Sequence, residues 1–575
     1  MPVHNDDIAA IFDELADLLE IDEANPFRVR AYRNAARTVR SLGTELAEMV
    51  ERGDDLTRLP GIGKDLAAKI VEILDTGRAA ALTKLHKEVP ASLEELLKVP
   101  GLGPKRVKAL YQALGVKTRK QLLAAARAGK VRDLEGFGEK TEQRIIDNLA
   151  AERSSERRFL LATAAHYGEP LLAYLNKTKG VDEALIAGSY RRARETVGDL
   201  DILVSARDHA EVMRRFTAYD EVDEVVSQGE TRATVLLRSG LQVDLRVVDK
   251  QSLGAALHYF TGSKAHNIRV RRLGQQRGLK VNEYGVFRGE ERIAGATEAS
   301  VYKSVDLPYI PPELREDRGE LEAARAGRLP RLVELADLKG DLHVHTEASD
   351  GQRPLAAMVE AARAAGLEYI AITEHSRHLA LAHGLDEKRL RAQLEAIDAL
   401  NDRLEGITVL KGIEVDILED GSLDLPEAVL GELDLVVGAV HSHFGLSRKK
   451  QTARIRRAMD ARYFSILAHP SGRLLLEREA YDVDMEAIIA HAAGRGCFLE
   501  LDAQPRRLDL TDVYCQAARE AGVLVALDSD AHGEGDFANL RFGVGQARRG
   551  WLEKADVLNT RPLKALRRLL KGTMS

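Results

Sequence analysis

The densest chemistry in the 575-residue chain lies in a series of short motifs beyond residue 340. They read GDLHVHTEASDG (Gly340–Gly351), ITEHS (Ile372–Ser376), KGIEVDI (Lys411–Ile417), VGAVHSH (Val437–His443), ILAHP (Ile466–Pro470) and LDSDAH (Leu527–His532). Nearly every motif follows an apolar strand candidate. Alternation along a strand sends His343 and His345 to one side, and likewise Asp530 and His532. Imidazoles and carboxylates from successive strand ends form a mixed N/O donor set, suited to Zn²⁺, Mn²⁺ or Fe²⁺ rather than Ca²⁺. One tetrahedral ion needs fewer donors, so two or three ions are implied. Their work would be to activate water, hold a phosphodiester and stabilise the leaving oxyanion. A single strand-end histidine is as often structural; a set repeated at successive strand ends is not.

A second constellation lies in AGSYRRARETVGDLDILV (Ala187–Val204). Asp199 and Asp201 are two apart, so on a strand both carboxylates face one way. Gly188-Ser189 opens a turn whose amides and hydroxyl can meet phosphate oxygens, and Arg192 can neutralise more of that charge. Asp244, in LQVDLRVV, belongs on a neighbouring strand. Asp-x-Asp alone is common, but three such carboxylates could hold two divalent ions. One would activate an attacking hydroxyl and the other would hold a triphosphate and its leaving group.

A third pattern repeats in the first third of the chain: LPGIGKDLA (Leu59–Ala67), VPGLGPKRV (Val99–Val107) and, more loosely, LEGFGEKTE (Leu134–Glu142). Glycines around one apolar anchor permit a tight turn that exposes successive backbone N–H groups before a helix. Gly61, Gly63, Gly101, Gly103, Gly136 and Gly138 form the turns, and Lys64, Lys105 and Lys140 stand ready to assist. A single copy could be a plain helix–helix connection. The repetition points to a nucleic-acid backbone gripped without sequence reading.

The elements that must position these residues fall into distinct regions. Residues 1–155 read as helical, with apolar residues three and four apart in IAAIFDELADLLEI. Arg28, Arg30, Arg33, Arg37 and Arg40 crowd one acid-free stretch, which predicts a positive surface beyond Glu23. Strands are expected at Leu185–Ala187, Asp199–Val204, Ala233–Leu237 and Gln242–Val248. From Gly340 onward, strand candidates at Tyr369–Ile372, Thr408–Leu410, Leu435–Val440, Phe464–Ala468, Cys497–Leu501 and Leu524–Leu527 alternate with alanine-rich helices. That cadence predicts parallel βα repetition in a barrel. Tyr309–Leu332, with its prolines and charges, reads as a boundary linker with room for one short helix.

Length predicts several domains, and the formal net charge of -6 excludes a uniformly basic coating protein without excluding a local basic face. Two cysteines exclude disulfide stapling, and neither a membrane span nor a signal peptide is expected, which places the chain in the cytoplasm.

Ala187–Val204 together with HYFTGSKAHNIRVR (His258–Arg271) resembles the family X DNA polymerases, a likeness covering residues 1 to about 315. The resemblance implies that Asp199, Asp201 and Asp244 bind Mg²⁺ or Mn²⁺, and that Gly188, Ser189 and Arg192 meet the triphosphate. It sets Tyr259, Phe260 and Gly262 by the sugar, and Asn267 and Arg271 by the nascent pair or template. Lys69 matches the family's deoxyribose-phosphate lyase lysine. The sequence departs at Ala193, where a glycine is usual, and at Gln242, where an arginine is frequent.

The C-terminal motifs resemble the polymerase-and-histidinol-phosphatase (PHP) family, whose fold is a distorted barrel of about seven βα units. That implies a site holding two or three Mn²⁺, Zn²⁺ or Fe ions on His343, His345, Glu374 or His375 (with His375 preferred), Glu414, His441, His469, Asp530 and His532. Asp350 joins from the first loop, His443 is a weaker candidate, and Arg473 is placed to meet a phosphate. The fusion resembles the bacterial and archaeal PolX proteins.

The implied organisation is multidomain. A helical domain with the first hairpin (1–85) precedes a second with the other hairpins (86–155). An α+β nucleotidyltransferase palm (156–245) and a thumb (246–315) follow, then a linker (316–336) and the PHP barrel (337–575). The implied activity is DNA repair synthesis in short gaps with 3′–5′ exonuclease, and abasic-site incision as an extension. The partners are gapped or 3′-ended duplex DNA and deoxynucleoside triphosphates, acting on a monomer without membrane contact. The competing readings are a chiefly DNA end-processing nuclease, a non-catalytic DNA-binding scaffold and a small-molecule phosphatase.

Overall fold

In the computed structural model the chain forms two compact units, Met1–Arg157 and Arg158–Ser575. The structure describes residues 3, 5–21, 25–42, 46–86, 93–97, 99, 102–134, 136–139, 141–143, 145–146, 158–379 and 382–574.

The first unit is helical. The helix Asn5–Ile21 buries Ile8, Phe12, Leu15 and Leu19, the face its periodicity predicts. It packs on Pro26–Ser41, which starts with Asn25 capping Phe27 N–H and proline in the first turn. The arginine-rich helix is less free than its composition implies. Arg33 bonds Asp17 and Glu20 at 2.7 Å, and Arg40 pairs with Asp13 at 2.5 Å. The acidic helix thus neutralises part of the basic one.

In the second unit the helix Leu161–Asn176 leads into a five-stranded sheet in the order Val181–Ile186, Asp199–Ala206, Gln242–Val248, Arg232–Leu237, Val222–Gln228. Only its two central strands run parallel, and both carry candidate carboxylates. The helices Leu253–Thr261 and Lys264–Gln275 and a small sheet, Lys280–Asn282 with Gly285–Arg288 and Glu291–Ala294, follow.

Beyond Gly340 the strands of the two sheets pair in parallel among the described residues, with antiparallel pairing confined to isolated bridges such as Ile417 with Leu423. Gly340–Val344, Tyr369–Ile372 and Thr408–Lys411 form one sheet; Glu414–Asp416, Val437–Ala439, Ile466–Leu467, Phe498–Asp502 and Val525–Asp528 form the next. Only Gly412-Ile413 separates Thr408–Lys411 from Glu414–Asp416, so these two segments are one interrupted strand, and seven strands result. A bridge from Val344 to Ala531 joins the first strand to the last. All are buried except for the half-buried ends Thr408 and Lys411, as a parallel barrel with helices outside requires.

The segment between thumb and barrel is packed. Its helix Glu320–Arg325 buries Leu321 and Ala324 in a cluster with Leu314, Leu332 and Trp551. Both cysteines are buried and free, and no helix among the described residues is long and apolar enough to cross a membrane.

Candidate functional sites

Parallel pairing sets Asp201 beside Asp244 as register partners, with Asp199 on the same face as Asp201. Ala187 N–H donates to the Asp201 carbonyl at 2.7 Å, which draws the following turn against the acids. Gly188 is at φ +65, and a Cβ there would stand 2.6 Å from Asp201 Oδ2. Asp244 is buried and accepts from Thr234 Oγ1 (2.5 Å) and Gln242 Nε2 (2.9 Å), with Arg232 at 3.5 Å. The amide at 242 therefore serves the third carboxylate directly. Burial first, then Asp199 and Asp244, push the Asp201 carboxyl up to about 7. Acids crowded this way are relieved by divalent cations, which their hard oxygens suit.

Around this centre, Phe260 lies under the Arg246 guanidinium (4.7 Å to the ring centre) and edge-on to Tyr259 (5.1 Å). Asn267 donates to the carbonyls of Tyr259 (2.7 Å) and Gly262 (3.1 Å), so its amide holds the turn, and a side chain at Gly262 would collide with it. Arg271 is exposed. Arg192 is engaged elsewhere than expected: Nε donates to Glu316 (2.9 Å) and Nη1 to the Thr261 carbonyl (2.7 Å). Its neighbour Arg191 bonds Glu298, which Arg315 also grips. Burial raises the Glu298 carboxyl, but the two arginines outweigh it and hold it down at about 2.

The barrel gathers three tight groups of donors: His345, Asp350, His375 and His532; His343, His345 and Asp530; and His375, Glu414 and His441. His469 Nε2 reaches Glu414 Oε1 at 3.0 Å, while His441 Nε2 lies 3.2 Å from the same oxygen. His345 Nε2 stands 3.2 Å from Asp530, and His375 and His532 each stand 3.4 Å from Asp350. At these ion-pair distances several buried atoms still make no hydrogen bond: His343 Nε2, both His345 nitrogens, His375 Nδ1 and Glu414 Oε2. His375 Nδ1 lies 2.7 Å from Glu414 Oε2, with His343 Nε2 and His345 Nε2 at 3.5 and 3.7 Å from the same oxygen, and such crowding of buried donors suits metal ligation. Burial lowers His343, yet Glu500, Glu414 and Asp530 together keep it well above its ordinary value. Burial likewise drives His345 down to about 4, with His532 and His375 adding to it.

The hairpin turns share one geometry. Ile62, Leu102 and Phe137 are buried anchors whose N–H groups bond the carbonyls of Leu59, Val99 and Leu134. Gly61 and Gly136 have positive φ, at +72 and +81, while Gly63 and Gly103 cap the helices Lys64–Thr76 and Pro104–Leu114. Gly138 is exposed beside the third anchor, and Lys64 and Lys105 are exposed beside theirs. Gly101 and Lys140 lie outside the described residues. Lys69 is half-buried and pairs with Asp65 at 2.5 Å, so its amine is engaged; attack on a sugar carbonyl would require that pair to open.

Family comparisons match this geometry segment by segment: a helix-hairpin-helix domain at residues 3–79, a SAM-like helix-hairpin-helix tandem at 93–151, the DNA polymerase beta palm at 165–272, its thumb at 256–316, and a PHP domain at 341–542. The DNA polymerase/3′-5′ exonuclease PolX of Bacillus subtilis (strain 168) is 38% identical over 573 residues, spanning 99% of this chain and all of that protein. The chain belongs to the PolX family. DNA polymerase lambda of Rattus norvegicus is 24% identical over 324 residues, 51% of this chain and 53% of that one. A ternary primer/template complex of Leishmania infantum polymerase beta aligns with 39% of this chain and 98% of its own, at 22% identity and a TM-score of 0.27.

Both halves of this PolX-family chain belong to metal-dependent families, and the barrel offers a donor set to match. Glu374 is not among the donors. Ser349 and Thr346 hydroxyls donate to it and Gln393 reaches it at 3.2 Å, which leaves His375 as the candidate donor from that motif. His443 faces Glu419 at 3.8 Å, away from the donor groups. Arg473 bonds Glu195 of the palm (2.8 Å) and the carbonyls of Arg507 and Leu508, so a phosphate there would have to compete with that carboxylate. Two positioning acids escaped sequence reading. Glu500 accepts from His343 Nδ1 (2.6 Å) and His469 N–H (2.5 Å), and Asp416 pairs with His441 Nδ1 (2.7 Å). Acids set two apart in an otherwise apolar strand, as in CFLELD, were the available signal.

Proposed function

We infer that this chain is a DNA polymerase that also shortens DNA from 3′ ends, filling short gaps during repair with deoxynucleoside triphosphates on gapped or 3′-ended duplex. The observation that carries this is the presence of two separate donor centres on one chain, one on a face of the palm sheet and one at the strand ends of the barrel. Asp199, Asp201 and Asp244 would hold Mg²⁺ or Mn²⁺; His343, His345, Asp350, His375, Glu414, His441, His469, Asp530 and His532 would hold two or three Mn²⁺, Zn²⁺ or Fe ions. Bound there, such ions would supply Lewis-acid charge to phosphate oxygens and lower the pKa of a coordinated hydroxyl or water.

The residues of the chain do the positioning. Gly188 brings backbone amides close to the acids, and Asn267 fixes the turn at Gly262 beside the sugar. Glu500 and Asp416 fix the rings of His343 and His441, so that the opposite nitrogens point into the barrel centre. The hairpin amides, with Lys64 and Lys105, take the DNA backbone. Lyase action at Lys69, abasic-site incision and a cytoplasmic location extend this reading.

The test uses 5′-labelled gapped duplex with Mn²⁺ or Mg²⁺, with and without nucleotides. Asp199→Ala should stop extension and spare shortening; His343→Ala should do the reverse. Loss of both activities in either folded variant would contradict two independent centres.

A further inference from the structure

The palm loop Gly188–Glu195 is seated on the barrel helix Leu540–Arg549 through a series of contacts. Tyr190 Oη donates to Glu169 (2.9 Å), whose carboxylate Arg541 grips at 2.9 and 3.0 Å. Ala193, at φ +51, faces Gly545, where an added Cβ would stand 2.8 Å from the alanine methyl. Glu195 accepts from Arg473 and, at 3.4 Å, from Gln546. Arg549 is nearly inaccessible and donates to the Arg192 carbonyl (2.9 Å), to Glu316 (2.9 Å) and to Asp512 (2.7 Å).

Glu316 is the pivot of this network. Its Oε1 accepts from Arg192 Nε and from Arg549 Nη1, both at 2.9 Å, and Arg194 stands 3.8 Å away. The side chain matched to the triphosphate therefore shares a buried carboxylate with the nuclease barrel. A triphosphate drawn to the Arg192 guanidinium competes with Glu316 for it. A buried carboxylate left without a cation is costly, and Arg549 is the cation already in place to keep it paired.

We propose that Glu316 and Arg549 are positioning residues of the nucleotidyl-transfer site. Glu316 holds Arg192 back from the triphosphate, and Arg549, supplied by the barrel, holds Glu316 when Arg192 leaves it. The metal-bearing barrel thereby sets the nucleotide affinity of the polymerase. This rests on reading Arg192 as the triphosphate contact.

Steady-state gap filling by the full chain, with the deoxynucleotide varied, tests it. Arg549→Gln should raise nucleotide KM about tenfold, the worth of one charge-assisted hydrogen bond, with kcat within about twofold. Glu316→Gln should lower KM several-fold, because an amide competes weakly for a guanidinium. On the Glu316→Gln background, Arg549→Gln should add little, since Arg549 acts through that carboxylate. Arg549→Lys should restore most of the affinity. A merely structural Arg549 would instead lower kcat and the unfolding midpoint together and leave the double variant as impaired as the single one; that result overturns the proposal. Arg192→Gln separates the two levels. If it raises KM while Arg549→Gln and Glu316→Gln leave KM unchanged, the coupling is wrong. If it leaves KM unchanged, the triphosphate reading itself fails.

Discussion

Gly188→Ala isolates the polymerase centre with the smallest possible change. The new methyl would stand 2.6 Å from Asp201 Oδ2, some 0.8 Å inside the 3.4 Å at which contact becomes ordinary. Its φ of +65 adds roughly 1–2 kcal/mol of backbone strain for an L-residue. Asp201 cannot retreat freely, because its strand is paired on both sides, with Val181–Ile186 and with Gln242–Val248. The carboxylate must turn away from the face it shares with Asp199 and Asp244. A displacement near 1 Å at a reacting centre costs on the order of a hundredfold in rate. Single-turnover extension of a 5′-labelled primer across a short gap should therefore fall about a hundredfold. Shortening of the same primer without nucleotides should stay within about twofold, since its donors sit on a separate barrel. Extension within about fivefold of wild type would refute the reasoning, by showing that the loop gives way without disturbing the acids.

Glu500→Gln removes the carboxylate that orients His343 and anchors His469 N–H; metal retained by the barrel after dialysis, read by elemental analysis, should fall with a roughly 10–100-fold loss of affinity, and wild-type retention would exclude the role. Asp201, raised to about 7 by burial, Asp199 and Asp244, holds its proton in the folded protein below that pH. A divalent ion must displace this proton, so Mn²⁺ affinity at the palm should climb from pH 6 to 8 and level off above; titration calorimetry should also show less of that slope in Asp201→Asn. Ile62→Ala, at a hairpin anchor only 2% exposed, should cost about 2–4 kcal/mol of the first unit's stability in urea unfolding. Lys64→Gln should leave that stability within about 0.5 kcal/mol while reducing the slope of log affinity for DNA against log salt by about one, and an unchanged slope would remove Lys64 from the phosphate contacts.

Local pattern carried the sheet where apolar runs were bounded by turn residues. LQVDLRVV reads as a strand and pairs over Gln242–Val248, and Tyr369–Ile372 lies where its apolar run places it. Val222–Gln228 escaped because it is an almost wholly exposed edge strand whose valines are interrupted by adjacent acids and polar residues, held by pairing along one side alone. Glu414–Asp416 escaped because Gly412 interrupts its run. A Cβ at Gly412 would stand 3.0 Å from the Ile372 carbonyl, so the glycine that spoils the pattern permits the close approach that brings Glu414 into the centre.

The donors of the barrel were legible for a related reason: His-x-His and Asp-x-His encode their own geometry once a strand is assumed. What pattern cannot encode is the distant partner of a charge. The preference for His375 over Glu374 was legible in the motif, but the partners that engage Glu374, Thr346 and Ser349, lie more than twenty residues upstream.

The same blindness explains the charge of the molecule. Arg33 and Arg40 look available for DNA but pair with the preceding acidic helix, while Arg473, Arg541, Arg548 and Arg549 pair with Glu195, Glu169, Glu313 and Glu316. Much of the arginine that suggests phosphate binding is spent joining barrel to palm and thumb. Ala193 makes the point at one residue. Read alone, it is a lost glycine in a phosphate loop; in the structure it keeps the positive φ a glycine would have, and its methyl fits against a glycine of the barrel helix. An alanine at 193 and a glycine at 545 are complementary. Enlarging residue 545 should therefore disturb nucleotide binding in the palm without touching a metal donor in the barrel, because the loop and the helix form one packed surface.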